Sequence, residues 1–80
     1  MLLSMTAVIK NKKEVRNMDL SKNLRKLRLE RGLSQAELAK KANVSQSIIA
    51  YIERGTKSPT VNLAYELAEA LEVPIGELIK

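Results

Sequence analysis

The chain has 80 residues with no cysteine and no histidine, and its 14 lysines and arginines outnumber its 9 aspartates and glutamates, which gives a net charge of +5. A chain of this length buries one modest core, so a large enzyme cleft is excluded. The missing cysteines exclude disulfides and thiolate metal sites, and the missing histidines remove the usual general base and zinc ligand. We therefore expect one small domain with no metal and no cofactor, suited to the reducing cytoplasm.

The charge is distributed unevenly along the chain. Residues 20–58 carry nine bases and three acids, a net +6, whereas residues 59–80 carry one base and four acids, a net −3. A basic middle beside an acidic end is typical of a protein that presents one face to a polyanion such as DNA. The alternative is an ordinary solvated surface, since lysine-rich helices are common.

The N-terminal 18 residues differ from the rest because they show no clean helical period. The first nine, MLLSMTAVI, are too short to span a bilayer and lack the basic start and the cleavage site of a signal peptide. We expect residues 1–18 to be an extension that forms a basic arm, a short strand or hairpin around Thr6–Val15, or an extra helix. The domain proper is expected over residues 19–80, with no membrane segment.

The first predicted helix covers about 20–31. Asp19 can cap its start, and Gly32 can end it. Its apolar positions are Leu20, Leu24, Leu27 and Leu29.

The second predicted helix covers about 35–42. Ser34 and Glu37 have the spacing of a capping box, in which each side chain hydrogen-bonds to the backbone N–H of the other residue. Its expected inner residues are Leu38, Ala39 and Ala42.

The third predicted helix covers about 46–54, between a cap at Ser45 and a stop at Gly55. Asn43 can adopt the left-handed conformation of the bend that precedes it. We expect Val44 and Ile49 to pack in the angle between the two helices, and Ile52 to share the inward face of the third helix with Ile49.

Two further helices complete the prediction. Pro59 excludes Ser58 from a helix, and Thr60 or Pro59 then opens an amphipathic helix within TVNLAYELAEALEV. Pro74 opens a short last helix, PIGELIK. The expected apolar positions are Leu63, Leu67, Ala68, Leu71, Ile75, Leu78 and Ile79.

The second and third helices, joined by a short turn, form a helix-turn-helix arrangement. The motifs LSQAELA, VSQS and IERG, followed by the proline-opened fourth helix, occur in an order and spacing that resemble the lambda-repressor-like helix-turn-helix domain, the Xre/Cro type of phage and bacterial repressors. The resemblance covers about residues 20–79. It implies an all-α, five-helix domain that binds double-stranded DNA, with the second helix over the phosphate backbone and the third in the major groove.

The resemblance also implies roles for individual residues. The positions that match the base-reading residues of the family are Gln46, Ser47, Ile48 and Tyr51. Those that match phosphate contacts are Ser34, Gln35, Arg54, Thr56, Lys57 and Ser58. Arg28 and Glu53 match a structural ion pair that joins the first helix to the end of the third. The family often has glycine at position 43, a polar or aromatic residue at 48 and a longer polar residue at 51.

Each base-reading position also has a structural interpretation. Gln46 fits the N6 donor and N7 acceptor of adenine, but it also fits a solvated first turn. Ser47 can bond to any base or phosphate. Ile48 can touch a thymine methyl group or pack at the edge of the core. Tyr51 can stack on a sugar, donate to a phosphate, touch a base, or pack within the protein.

The acidic end of the chain does not indicate an enzyme. Glu66 and Glu69 lie three residues apart and could share a helix face. Without a histidine or another cluster of ligands, a solvated acidic face explains them better. We expect no catalytic residues and no small-molecule substrate.

The expected function is that of a small transcriptional regulator, most plausibly a repressor that occludes a promoter. One such domain reads only a few base pairs, so we expect a homodimer on a near-palindromic site. The dimer surface is expected around Ile75, Leu78 and Ile79, or on the apolar N-terminal segment. The alternative is a protein-interaction module, such as an antitoxin, that holds a partner protein and also binds its own promoter.

Overall fold

The computed structural model describes residues 20–80, and the expectations for residues 1–18 and for the Asp19 cap lie outside this range. The described part is all-α, as predicted, with five helices and no strand. None of these helices has the length and apolar character needed to cross a bilayer. The helices are α1 over 20–30, α2 Gln35–Ala42, α3 Gln46–Arg54, α4 Val61–Leu71 and α5 Ile75–Ile79.

Side-chain caps define where three of the helices begin. The capping box of α2 is complete, because the Glu37 N–H donates to Ser34 Oγ at 3.0 Å and the Ser34 N–H donates to Glu37 Oε1 at 2.8 Å. Ser45 accepts from the Ile48 N–H to open α3, and Thr60 caps α4 in the same way.

The turn between α2 and α3 depends on a left-handed residue. Asn43 has φ 59°, a conformation that asparagine tolerates better than most residues. Its N–H donates to Lys40 O, and the next N–H, of Val44, donates to Ala39 O at 2.9 Å. Both carbonyls at the end of α2 are therefore satisfied inside the bend, and α3 leaves in a new direction.

One apolar core joins all five helices. Its fully buried side chains are Leu24, Leu38, Ile49, Ile52, Leu67, Leu71 and Leu78. The prediction was wrong at Leu29, which is 57% exposed. Leu29 follows Leu24 by five residues, about 140° around the helix, so it points away from the core. The inward position one turn after Leu24 belongs to Arg28, which is buried.

Polar side chains of α1 and of Arg31, the residue directly after it, hydrogen-bond to the carbonyl ends of the last two helices. Arg31 Nε donates to Leu71 O at 2.7 Å, at the end of α4. Asn23 Nδ2 donates to Leu78 O at 3.0 Å, at the end of α5. Carbonyls in the last turn of a helix have no partner within the helix, so these bonds fix α4 and α5 against α1.

The C-cap of α4 is an unusual residue for its conformation. Glu72 has φ 61°, and it is one of two described residues other than glycine with a positive φ. The left-handed region costs an ordinary residue about 1–2 kcal/mol. Its carboxylate also lies at the negative end of the helix dipole, which favours cations.

We expect Glu72→Gly to stabilise the fold by about 0.5–1 kcal/mol, since glycine adopts a positive φ without strain. Thermal unfolding followed by circular dichroism should show an increase of a few degrees in Tm. The matched control is Gly55→Ala at the C-cap of α3, where φ is 78° and an added Cβ would lie in ordinary contact, 3.5 Å from Ser21 Oγ. That change should lower Tm. An unchanged or lower Tm for Glu72→Gly would show that residue 72 stores no backbone strain.

Candidate nucleic-acid interface

The inner faces of α2 and α3 are buried against the core, which leaves their other faces to solvent. Leu38, Ala39 and Ala42 cover the inner side of α2, and Ile49 and Ile52 cover that of α3. Three residues, 43–45, separate the two helices. This is the helix-turn-helix geometry expected from the sequence.

The outer face of α3 carries exposed polar side chains. Gln46, Ser47, Tyr51 and Arg54 are all exposed. At 100° per residue these positions fall within an arc of about 140°, opposite the two buried isoleucines. Helix α3 therefore has one face for the core and one that can meet a partner.

Ile48 lies on the border between the two faces. It is partly buried and packs against the core. This matches the expected packing at the edge of the core, one of the two roles given for it above. Only the remaining part of its side chain can reach outward, so its contact with a base is still a prediction.

Tyr51 and Arg54 interact with each other on the exposed face. The Arg54 guanidinium carbon lies 5.1 Å from the centre of the Tyr51 ring, and Tyr51 is 43% exposed. This is the distance of a cation–π contact. The Tyr51 ring therefore helps to orient the Arg54 guanidinium at the C-terminal end of α3.

The loop after α3 is attached to that helix through Thr56. Its Oγ1 donates to Tyr51 O at 3.0 Å, and its N–H donates to the same carbonyl at 3.1 Å. Gly55, with φ 78°, allows the chain to reverse here. Lys57 and Ser58 follow in the loop, a few residues after Arg54, and both are exposed.

Beneath this face lies a charge pair between α1 and α3. Arg28 Nε donates to Glu53 Oε2 at 2.6 Å and Arg28 Nη2 donates to Glu53 Oε1 at 3.0 Å, while the two side chains are only 10% and 5% exposed. Arg28 Nη1 also donates to Leu33 O at 2.8 Å. The hydrogen bonds to Glu53 raise the pKa of Arg28 above its ordinary value, against the opposing effect of burial.

Gln35 has a partner that the sequence did not indicate. Its Nε2 donates to Glu53 Oε1 at 3.1 Å. The two residues are 18 positions apart and on different helices, so no local pattern reveals the contact. The residue expected to meet phosphate is thus already attached to the buried ion pair.

Ser34 and Glu37 make the start of α2 sensitive to pH. The Ser34 backbone N–H lowers the pKa of Glu37, and the Ser34 side chain lowers it further. A carboxyl group whose pKa is lower in the folded state contributes stability above its unfolded pKa. That contribution is lost as the pH falls through the folded-state pKa of Glu37.

Comparison with known proteins identifies the arrangement. The helix-turn-helix family model HTH_3 matches residues 24–78. An uncharacterised HTH-type transcriptional regulator of Sinorhizobium fredii, y4dJ, is 44% identical over 57 residues, which cover 71% of this chain and 74% of the relative. The CTXphi transcriptional repressor RstR of Vibrio cholerae is 39% identical over 59 residues, and the match spans about half, 53%, of that protein.

The fold is also similar to that of solved structures. The restriction-modification controller protein C.AhdI of Aeromonas hydrophila superposes with a TM-score of 0.75 at 32% identity. The match covers 78% of this chain and 94% of that protein.

We expect Glu53→Ala to destabilise the fold by about 3 kcal/mol, because it leaves the buried Arg28 charge without its partner. Urea unfolding monitored by circular dichroism gives this quantity. The matched control is Glu77→Ala, which breaks the exposed pair of Lys80 and Glu77 and should change the free energy of unfolding by less than about 0.5 kcal/mol. Equal small effects of the two changes would show that the buried pair does not organise the fold.

Proposed function

Because the chain belongs to the HTH_3 helix-turn-helix family, we propose that it binds specific double-stranded DNA sites through α3 and represses transcription by occluding promoters. It is a transcriptional regulator of the helix-turn-helix type and not an enzyme. The relatives that carry functional names are regulators, a phage repressor and a controller protein.

The observation that carries this proposal is the division of α3 into two faces. Ile49 and Ile52 are fully buried, while Gln46, Ser47 and Tyr51 are exposed on the opposite side. A major groove admits one helix, and an amide side chain can pair with the N6 and N7 edge of adenine. Gln46 is therefore the leading candidate for base recognition, with Ser47, Tyr51 and the exposed edge of Ile48 beside it.

Phosphate contacts are proposed on both sides of α3. Ser34 and Gln35 lie at the N-terminal end of α2, where backbone N–H groups and the helix dipole favour an anion. The other proposed contacts are Arg54, Thr56, Lys57 and Ser58, at the end of α3 and in the loop that follows. The net charge of +6 over residues 20–58 supports this arrangement, since phosphate contacts position a protein on the duplex.

A homodimer is proposed to provide the second reading helix. Of the dimer surface expected around Ile75, Leu78 and Ile79, Leu78 is fully buried and takes no part, whereas Ile75 and Ile79 line an open groove. The most exposed apolar side chains here are Val61 (72%), Tyr65 (56%) and Ile79 (45%). They line an apolar groove of about 340 Å³ between the starts of α1 and α4 and helix α5. A second copy of the chain would cover this surface, and no feature of residues 20–80 favours the antitoxin alternative.

Selection from a pool of random duplexes should recover a defined sequence, with an affinity that falls steeply as salt rises. Gln46→Ala should reduce the preference for the selected duplex over a scrambled one by about tenfold, because one bidentate base contact is worth 1–3 kcal/mol. The matched control is Asn62→Ala, which removes a different exposed amide, on α4, and should leave the preference for the selected duplex unchanged. Failure to recover any sequence, or unchanged selectivity of the Gln46 variant, would contradict the proposed reading face.

Val61→Lys should convert the dimer to a monomer, since it places a charge on the apolar surface. Sedimentation velocity measures the mass directly, and the monomer should bind half of a two-fold symmetric selected site. Leu29→Lys changes another exposed apolar residue, outside the groove, and should leave the mass unchanged. A wild-type chain that stays monomeric at high concentration, with or without DNA, would contradict the proposed dimer.

A further inference from the structure

The Glu53 carboxylate connects three helices at one point. Its Oε2 accepts from Arg28 of α1, and its Oε1 accepts from Arg28 Nη2 at 3.0 Å and from Gln35 Nε2 at 3.1 Å. Glu53 itself belongs to α3, and Gln35 is the first residue of α2. A side chain in the last turn of the proposed reading helix therefore holds the side chain of the first residue of α2.

This contact fixes which way the Gln35 amide faces. An ionised carboxylate only accepts hydrogen bonds, so the Gln35 nitrogen, and not its oxygen, must lie against Glu53. The planar NH2 group has a second N–H, whose direction is set once the first is bound. Gln35 is only partly buried, and its second N–H has no hydrogen-bond partner among residues 20–80.

The second glutamine of the chain is in a different situation. Gln46 is exposed and makes no side-chain hydrogen bond to any residue in the range 20–80. It must lose rotamer freedom when it binds a partner, whereas Gln35 has already lost much of its own. The two glutamines thus differ in how much they are ordered before binding.

We propose that Glu53 is a positioning residue for DNA binding, which holds the Gln35 amide so that its free N–H donates to a DNA phosphate. This inference rests on the proposed function and adds a role to a residue that otherwise only stabilises the fold. Its negative charge does not repel the duplex strongly, because Arg28 neutralises it at 2.6 Å.

The sign of one substitution separates this role from simple electrostatics. Glu53→Gln removes a negative charge near a polyanion, and charge alone predicts tighter binding to DNA. The amide keeps one acceptor oxygen, which the Arg28 guanidinium takes, and it presents an NH2 group to Gln35. Positioning therefore predicts weaker binding.

A double-mutant cycle on the full chain, with the selected duplex as probe, tests the inference. Gln35→Met keeps the shape of the side chain and removes its donor, and it should weaken binding about fivefold, the effect of one hydrogen bond. Glu53→Gln should weaken binding by a similar factor alone and by almost none when added to Gln35→Met. Circular dichroism at the assay temperature checks that each variant is folded.

Three outcomes would overturn the inference. Losses that simply multiply in the double variant would show that Glu53 does not act through Gln35. Tighter binding by Glu53→Gln would show that its charge outweighs any positioning. If the wild-type chain retains no duplex at all, the proposed function fails and this inference fails with it.

A second measurement does not depend on the stability of the Glu53 variant. In the free wild-type protein, the side-chain NH2 signals of the two glutamines can be followed by NMR, with Gln35→Met giving the assignment. The Gln35 NH2 group should show restricted motion and slow exchange with solvent, and that of Gln46 should be mobile. Equal mobility of the two groups would also overturn the proposal.

Discussion

The pairing of Arg28 with Glu53 is the interaction on which the arrangement of the helices depends. Arg28 occupies an inward position on α1 where an apolar residue such as leucine is expected. A buried guanidinium is tolerated there only with a partner. Glu53 supplies that partner in two hydrogen bonds, and Leu33 O accepts a third from Arg28. A planar, two-point contact restricts both distance and rotation, so it determines how α3 meets α1 more narrowly than apolar packing alone.

This constraint explains how α3 can be shared between the core and a partner. Its two isoleucines are fully buried, yet the helix has only nine residues and little area with which to resist rotation. Glu53 fixes its C-terminal end, and the Ser45 cap fixes its start. The polar face is therefore presented in one orientation. The direction in which the exposed side chains of α3 point is therefore determined by the buried residues on its opposite side.

Local features of this fold could be read from the sequence, and long-range ones could not. The capping box at Ser34 and the bend at Asn43 depend on residues a few positions apart, and both occur as predicted. The sequence prediction placed Leu29 in the core because it is apolar, but its angle around α1 points it to solvent. The contact of Gln35 with Glu53 joins residues from two helices, so only the packed structure reveals it. The left-handed Glu72 was missed because glutamate gives no signal for that conformation.

The hydrogen bonds from α1 to the ends of α4 and α5 have a consequence for how such a chain can change over evolution. Asn23 of α1 and Arg31 just after it bond to those ends, and Ser21 Oγ donates to Ile52 O at 2.6 Å near the end of α3. The loops between the helices thus contribute little to holding the helices in place. A change in the length of the 55–60 loop would alter the groove locally, since Ser58, Pro59 and Thr60 line it, while these hydrogen bonds and the core would keep α3, α4 and α5 in place. In the proposed pair of two copies, the spacing between the two α3 helices would then depend on α1 more than on the loops.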